Sequence, residues 1–356
     1  MNSIKRVLLS MLAALALIAG LLPSAAMARS SSAPPPVDPG AAAASGITNT
    51  TSSKKILDYW TTARIRAATP EPLPRPAPQP TAEKQVKNVL PPQAAGGARP
   101  ARLKGTSDSP RVLAHTQAQR WNRQGSMPAT TIGKIYYVRN NGTPGYCSGS
   151  VINGNNKNTV WTSGHCIHAG GGGAGNYFRD FIFVPDADNN REPHGRWTYR
   201  YANTTIGWER DGNWSYDVAA IAFNPQAQRG NLADWVGYQG YRFGYGQAFN
   251  NIHAFGFPQD GYRRTDFSGN DLWYCLTFTW RAGVFDDRIH MECDMHHGAS
   301  GGPWLEDLQL SRGWGYIIGA YSHRNVDGNQ MAVDTVAKSP NHGDAAINVR
   351  NDVHVR

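Results

Sequence analysis

From Thr131 onward the chain alternates short apolar runs with clusters of Gly, Asn, Asp and Pro. The runs cover 132–138, 147–152, 159–162, 180–184, 196–202, 218–223, 252–257, 272–278, 288–293, 315–321 and 331–333. Several alternate residue by residue, as Arg196, Trp197, Thr198, Tyr199, Arg200 and Tyr201 do, which is the period of a strand with two different faces. Turn pairs such as Asn141-Gly142, Asn153-Gly154, Asp211-Gly212 and Asp327-Gly328 bound them. No long amphipathic run interrupts the series, so the pattern predicts an all-β sandwich or pair of barrels rather than a βαβ fold. A short closing helix is expected over 344–351.

The first 127 residues are patterned differently. Lys5 and Arg6 precede an apolar stretch over 7–22, and Ala26 and Ala28 supply small residues ahead of Arg29. This is the three-part pattern of a secretory signal peptide, 1–28. The stretch is about 16 residues, short of the roughly 20 that a spanning helix needs. Residues 29–127 form a second segment. Its parts 30–39 and 70–92 are rich in Pro, Ala and Ser with few large apolar side chains, a composition that buries too little surface to offset ordering entropy. Between them, 56–65 has helical spacing and is expected to be one small ordered piece. The third segment, 128–356, carries the strands.

Composition changes the picture in two ways. The formal charge of +9 suggests acidic partners, but from Ala129 onward 19 Lys+Arg face 21 Asp+Glu, so the excess lies in the leader. No nucleic-acid partner is expected, and no membrane contact once the signal is gone. The four cysteines of an exported chain are expected to form two disulfides, with three pairings open.

Three segments carry candidate chemistry. In Trp161-Thr162-Ser163-Gly164-His165-Cys166, small residues leave the imidazole of His165 approachable, and the adjacent cysteine can fasten its turn. In Tyr216-Asp217-Val218-Ala219-Ala220-Ile221, a carboxylate stands at the mouth of an apolar run, where it is costly unless paired. In Gly298-Ala299-Ser300-Gly301-Gly302-Pro303, glycines on both sides permit a sharp turn that exposes the Ser300 hydroxyl. The amides of Gly298 and Ser300 can aim at one point there, as an oxyanion hole requires. A base, an orienting acid and a nucleophile are the parts of acyl-transfer hydrolysis.

The order His…Asp…Ser with T-S-G-H-C, Y-D-V-A-A-I and G-A-S-G-G-P resembles the trypsin/chymotrypsin-like serine peptidases. The strands at 181–185 and 195–198 resemble the bacterial glutamyl-endopeptidase branch more closely. The resemblance spans about 131–333 and leaves the leader untouched. It implies two six-stranded antiparallel barrels with the active site in the cleft between them. It also implies a His165–Asp217–Ser300 triad in a trypsin-like peptidase domain, and disulfides Cys147–Cys166 and Cys275–Cys293. The partner implied is a polypeptide substrate, the product a secreted monomer, extracellular or periplasmic. Segment 29–127 becomes a pro-segment.

The sequence departs from the family in places. Ala299 stands where digestive relatives have the Asp that pairs with a new amino terminus, so any activation switch must differ. Asp294, Tyr321, Ser322 and His323 are the candidates for contacting substrate, but they select neither an acidic nor a basic residue before the cleaved bond. No cofactor is expected, and no metal: His168, His296 and His297 have no zinc-motif spacing, and the stretch 186–190 lacks the Gly and Glu of a calcium loop. Competing functions are a binding protein on the same scaffold and an esterase.

Overall fold

In the computed structural model the described residues are 38–73, 88–103, 105, 114–284 and 286–356. The expected signal peptide, 1–28, lies outside them, as do 29–37 and 74–87 of the leader.

Six strands close a barrel. In spatial order they are Ile132–Val138, Pro144–Val151, Thr159–Thr162, Ala219–Phe223, Trp197–Thr204 and Arg179–Pro185, which pairs back to the first. Every pairing in this ring is antiparallel. Aromatic and β-branched side chains dominate these strands, and they fit a pleated, buried surface. Ile135, Val160, Phe183 and Ile221 have no exposed surface.

The C-terminal half is built on two sheets. One contains Gly240–Phe243, Trp314–Ala320, Pro303–Gln309, Ile252–Gly256 and Trp273–Thr277. The other orders Thr279–Arg281, Ile289–Glu292, Ala332–Ser339 and His323–Val326. The chain passes between the sheets at Phe278 and again at Tyr321 and Ser322. One pairing, 240–243 with 314–320, is parallel, unlike the expected all-antiparallel barrel. The closing helix is Asp344–Val353 and packs on strands 197–204 and 219–223 of the first barrel. Cystines join Cys147 to Cys166 and Cys275 to Cys293, the pairing the family resemblance implied.

The leader is more ordered than its composition suggested. Its strands Ile47–Thr48 and Thr69–Pro70 pair with the first barrel, and Gln93–Ala95 and His115–Arg120 extend the seven-stranded sheet. Helices Ser53–Tyr59 and Thr62–Ala67 are capped by the hydroxyls of Ser52 and Thr61. The composition argument concerned 30–39 and 70–92, of which 30–37 and 74–87 lie outside the described residues; beyond the single ordered piece expected at 56–65, the described parts of the leader lend a few large side chains to a core already formed. Ile56 and Trp60 are fully buried, and the Trp60 indole donates to the Asp180 carbonyl at 2.7 Å.

One leader contact is ionic. Glu71 accepts from Arg139 Nε at 2.6 Å and from the Tyr137 hydroxyl at 2.8 Å, with both charged side chains nearly buried. Removing one partner strands the other charge, which typically costs about 3–5 kcal/mol. Arg139→Met is therefore expected to lower the full-length chain's thermal midpoint and to speed amide exchange in 53–73. Unchanged exchange in that segment would contradict this.

Candidate active site

Strand register brings two of the three candidate segments together. Ala219 pairs with Thr162, so the chain three residues after Thr162 and two residues before Ala219 emerges at the same end of the barrel. His165 follows on a short turn, Gly164–Cys166, tied to the neighbouring strand by the Cys147–Cys166 cystine. Gly164 is needed there, since a Cβ would come within 2.7 Å of the Trp208 ring. Asp217 ends the turn Trp214–Tyr216.

The Asp217 carboxylate is fully buried and receives three hydrogen bonds. The His165 backbone N–H donates to Oδ1 at 2.7 Å, His165 Nδ1 meets Oδ2 at 2.8 Å, and the Ser322 hydroxyl donates to Oδ2 at 2.5 Å. A carboxylate only accepts, so a neutral His165 carries its proton on Nδ1 and presents a lone pair at Nε2. That Nε2 is buried and has no hydrogen-bond partner among the described residues. The rings of Trp208 and Trp214 flank the imidazole, with centroids at 6.3 and 6.1 Å.

The third segment packs against the strand that delivers His165. Ser148, in the strand beside 159–162, donates its N–H to the Ser300 carbonyl at 2.7 Å and its hydroxyl to the Gly298 carbonyl at 2.8 Å. Gly301 has φ +77°, and a Cβ on it would lie 1.9 Å from Thr162 Oγ1. Its N–H and the Ser163 hydroxyl both donate to the Tyr321 carbonyl, at 2.7 and 2.6 Å. Gly298 has φ +93°, and a Cβ there would lie 2.4 Å from the Phe257 carbonyl oxygen. Among the described residues, no hydrogen bond occupies the N–H of Gly298 or of Ser300.

The expected substrate contacts are placed differently from one another. Asp294 is buried, accepts from the Ala118 N–H at 2.8 Å and pairs with Arg264 at 2.6 Å, so its charge is already matched. Tyr321 buries its ring edge-on against Trp304. Ser322 turns its hydroxyl onto Asp217, behind the imidazole. His323 stacks on Trp214 with centroids 4.4 Å apart. Sequence reasoning gave no role to Ser148, Trp208, Trp214 or Arg288, and took Ser163 only as a small neighbour of His165. Their only signal was proximity in sequence to a motif, which does not reveal a contact across strands.

Metal-ligating types meet in three clusters among the described residues. Two consist largely of cystine sulfurs, which are not thiolates and are poor ligands. In the third, His297 Nδ1 lies 2.9 Å from Asp260 and His296 Nε2 lies 2.9 Å from the Gln330 carbonyl oxygen.

No sequence-family profile matches the chain. A curated extracellular metalloprotease of Bacillus subtilis (strain 168) is 27% identical over 143 residues, 40% of this chain and 40% of that protein. The chain thus matches less than half of that relative's length. Among solved structures, protease Anisep from Arthrobacter nicotinovorans is 29% identical, with TM-score 0.56, over 65% of this chain and 99% of that one. The thermostable serine protease AL20 from an extremophilic microorganism is 24% identical, with TM-score 0.56, over 64% of this chain and 98% of that one. A Glu endopeptidase shares the fold at 18% identity and TM-score 0.51, over 71% of this chain and all of that one. The closed first barrel and these likenesses show that the chain has the fold of these proteases, and the likeness to Anisep fits a peptidase.

Proposed function

We propose that the chain is an exported serine endopeptidase that works through an acyl-enzyme on Ser300, with His165 as general base and Asp217 as the orienting carboxylate. The observation that carries the reading is the buried His165–Asp217 contact, which in a neutral imidazole leaves an Nε2 lone pair without a partner among the described residues. In the proposed reaction Ser300 Oγ attacks the peptide carbonyl while its proton passes to Nε2. The imidazolium then gives that proton to the leaving amine, and water repeats the sequence to release the acid. The Gly298 and Ser300 amides take the oxyanion, each typically worth on the order of 10²–10³ in rate. Asp217 keeps the proton of the resting imidazole on Nδ1 and stabilises the ring while it is charged.

Segment 29–127 is proposed to be a pro-segment. The Anisep likeness supports this, since it takes in almost all of that chain and leaves about a third of this one without counterpart.

The test is a cleavage profile of matured protein on a diverse peptide library, read by mass spectrometry, with amino-terminal mapping of the same sample. The expected result is peptide hydrolysis by the matured form and little labelling of the precursor by a fluorophosphonate probe. A matured, folded sample that cuts no peptide favours a binding protein and defeats the proposal. Turnover of esters but not amides assigns an esterase instead.

A further inference from the structure

We propose that His323 and Arg288 are positioning residues for Asp217, forming the outer part of a one-directional hydrogen-bond chain that ends on its carboxylate; this rests on the triad proposed above. The direction of each link follows from donor and acceptor chemistry. Asp217 Oδ2 can only accept, so the single hydrogen of Ser322 Oγ points to it across 2.5 Å. Ser322 Oγ must then accept from its other neighbour, His323 Nδ1, at 2.8 Å. A neutral His323 with its proton on Nδ1 has its lone pair on Nε2. Arg288 Nη1, which can only donate, lies 2.9 Å from that atom. No link can be reversed without placing two donors or two acceptors face to face.

The outer end of the chain is held in place. Asp286 pairs with the Arg288 guanidinium through Nη2 and through Nε, the latter at 2.8 and 3.0 Å. The His323 ring is fixed by its stack on Trp214, which also flanks His165. Burial pushes the His323 imidazole well below its ordinary range, and the surrounding cations Arg288 and Lys338, with His165 and His290, push the same way. Of the two carboxylates in this network, Asp286 is paired with Arg288 and Asp217 is reached through Ser322, and among the described residues neither hydrogen-bonds the His323 ring. His323 therefore stays neutral through the working range, as the chain requires. Protonating it would turn an Nε2–H toward Arg288 and break the outer link.

The chain delivers part of a guanidinium's charge to a buried carboxylate. Without it, Asp217 holds its negative charge more fully against His165 and favours the imidazolium. Activity needs the neutral imidazole, so the acid limb of the kcat/KM profile moves to higher pH. Ser322 also loses the donor that sets its rotor, and the carboxylate is less well oriented.

The test uses matured enzyme, four variants read by pH profiles of kcat and KM, and a Ser300→Ala control. Arg288→Met and His323→Phe, the latter keeping an aromatic ring on Trp214, are expected to lose about tenfold in kcat with KM nearly unchanged. Their acid limbs are expected to rise by about half a pH unit. Arg288→Lys keeps a donor, and His323→Gln can both donate and accept, so both should recover most of the loss. If Arg288→Met fails to fold, the His323→Phe and His323→Gln pair decides alone. Unchanged profiles overturn the inference. So does a loss of kcat that leaves the acid limb in place and is not recovered by the conservative variants. A Ser300→Ala protein that still turns over substrate sinks the triad and this inference together, whereas an inactive Ser300→Ala beside an unaltered Arg288→Met sinks the inference alone.

Discussion

Ser300→Ala in the matured protein is expected to lower kcat by a factor on the order of 10⁵–10⁶ while leaving KM within a few-fold. Only the attacking oxygen is removed. The turn that carries it is held by backbone groups, through the Ser300 carbonyl to Ser148 N–H and the Gly301 N–H to the Tyr321 carbonyl, and both survive the substitution. Ground-state binding should therefore persist. The residual rate comes from binding and from the amides of Gly298 and residue 300, which need no hydroxyl. Steady-state kinetics on a peptide substrate, with a thermal midpoint to establish folding, checks this. A loss below about tenfold would mean that the bond is broken by another group.

The second large effect is expected from Asp217→Asn, about 10⁴-fold in kcat. The shape is preserved and the logic is lost. The side-chain carbonyl of Asn can still accept the His165 N–H now on Oδ1, at 2.7 Å in the native chain. Its NH₂ group then occupies the place of Oδ2 and faces two atoms that donate in the native chain, His165 Nδ1 and Ser322 Oγ. The simplest relief is for the imidazole to move its proton to Nε2, leaving no base toward Ser300. The defect is one of protonation rather than shape, so the variant should fold with a near-native midpoint. A profile of kcat/KM against pH measures it, and retention of more than about a tenth of the wild-type rate would contradict the assigned role.

The site's parts were legible in the sequence to unequal degrees. His165 and Asp217 were found because each stands beside a strand run whose apolar residues are unmistakable, Thr159–Thr162 and Ala219–Phe223, and those two strands pair. Ser300 was singled out because glycines flank it, and Gly298 and Gly301 do take positive φ angles that other residues resist. The strands 240–243, 279–281, 303–309 and 323–326 escaped notice. Pro303–Gln309 begins with a proline and ends in Glu306, Asp307 and Gln309, so its polarity hides its period. His323–Val326 has a single large apolar residue, since its buried surface comes from His323 and Arg324.

The leader holds more ordered structure than the one piece expected at 56–65 for a related reason. Average hydrophobicity measures whether a segment can fold alone, and 38–73 does not need to. Its buried side chains, Ile56, Trp60, Ile65 and Leu73, fall onto strands that already exist. Roles also shifted between neighbours along the chain. Ser322 and His323 were expected at the substrate, yet one supports Asp217 and the other supports Ser322, a difference set by side-chain direction, which sequence spacing alone does not encode.

The most direct measurement is to react matured wild-type protein with a fluorophosphonate, digest it, and identify the modified residue by mass spectrometry. Organophosphorus capture needs a hydroxyl activated by a base and an oxyanion site beside it, which is the arrangement proposed here for residues 165, 217, 298 and 300. The account predicts one adduct, on Ser300, absent from the His165→Ala protein. An adduct on any other side chain, or full labelling of Ser300 in the absence of His165, would contradict it.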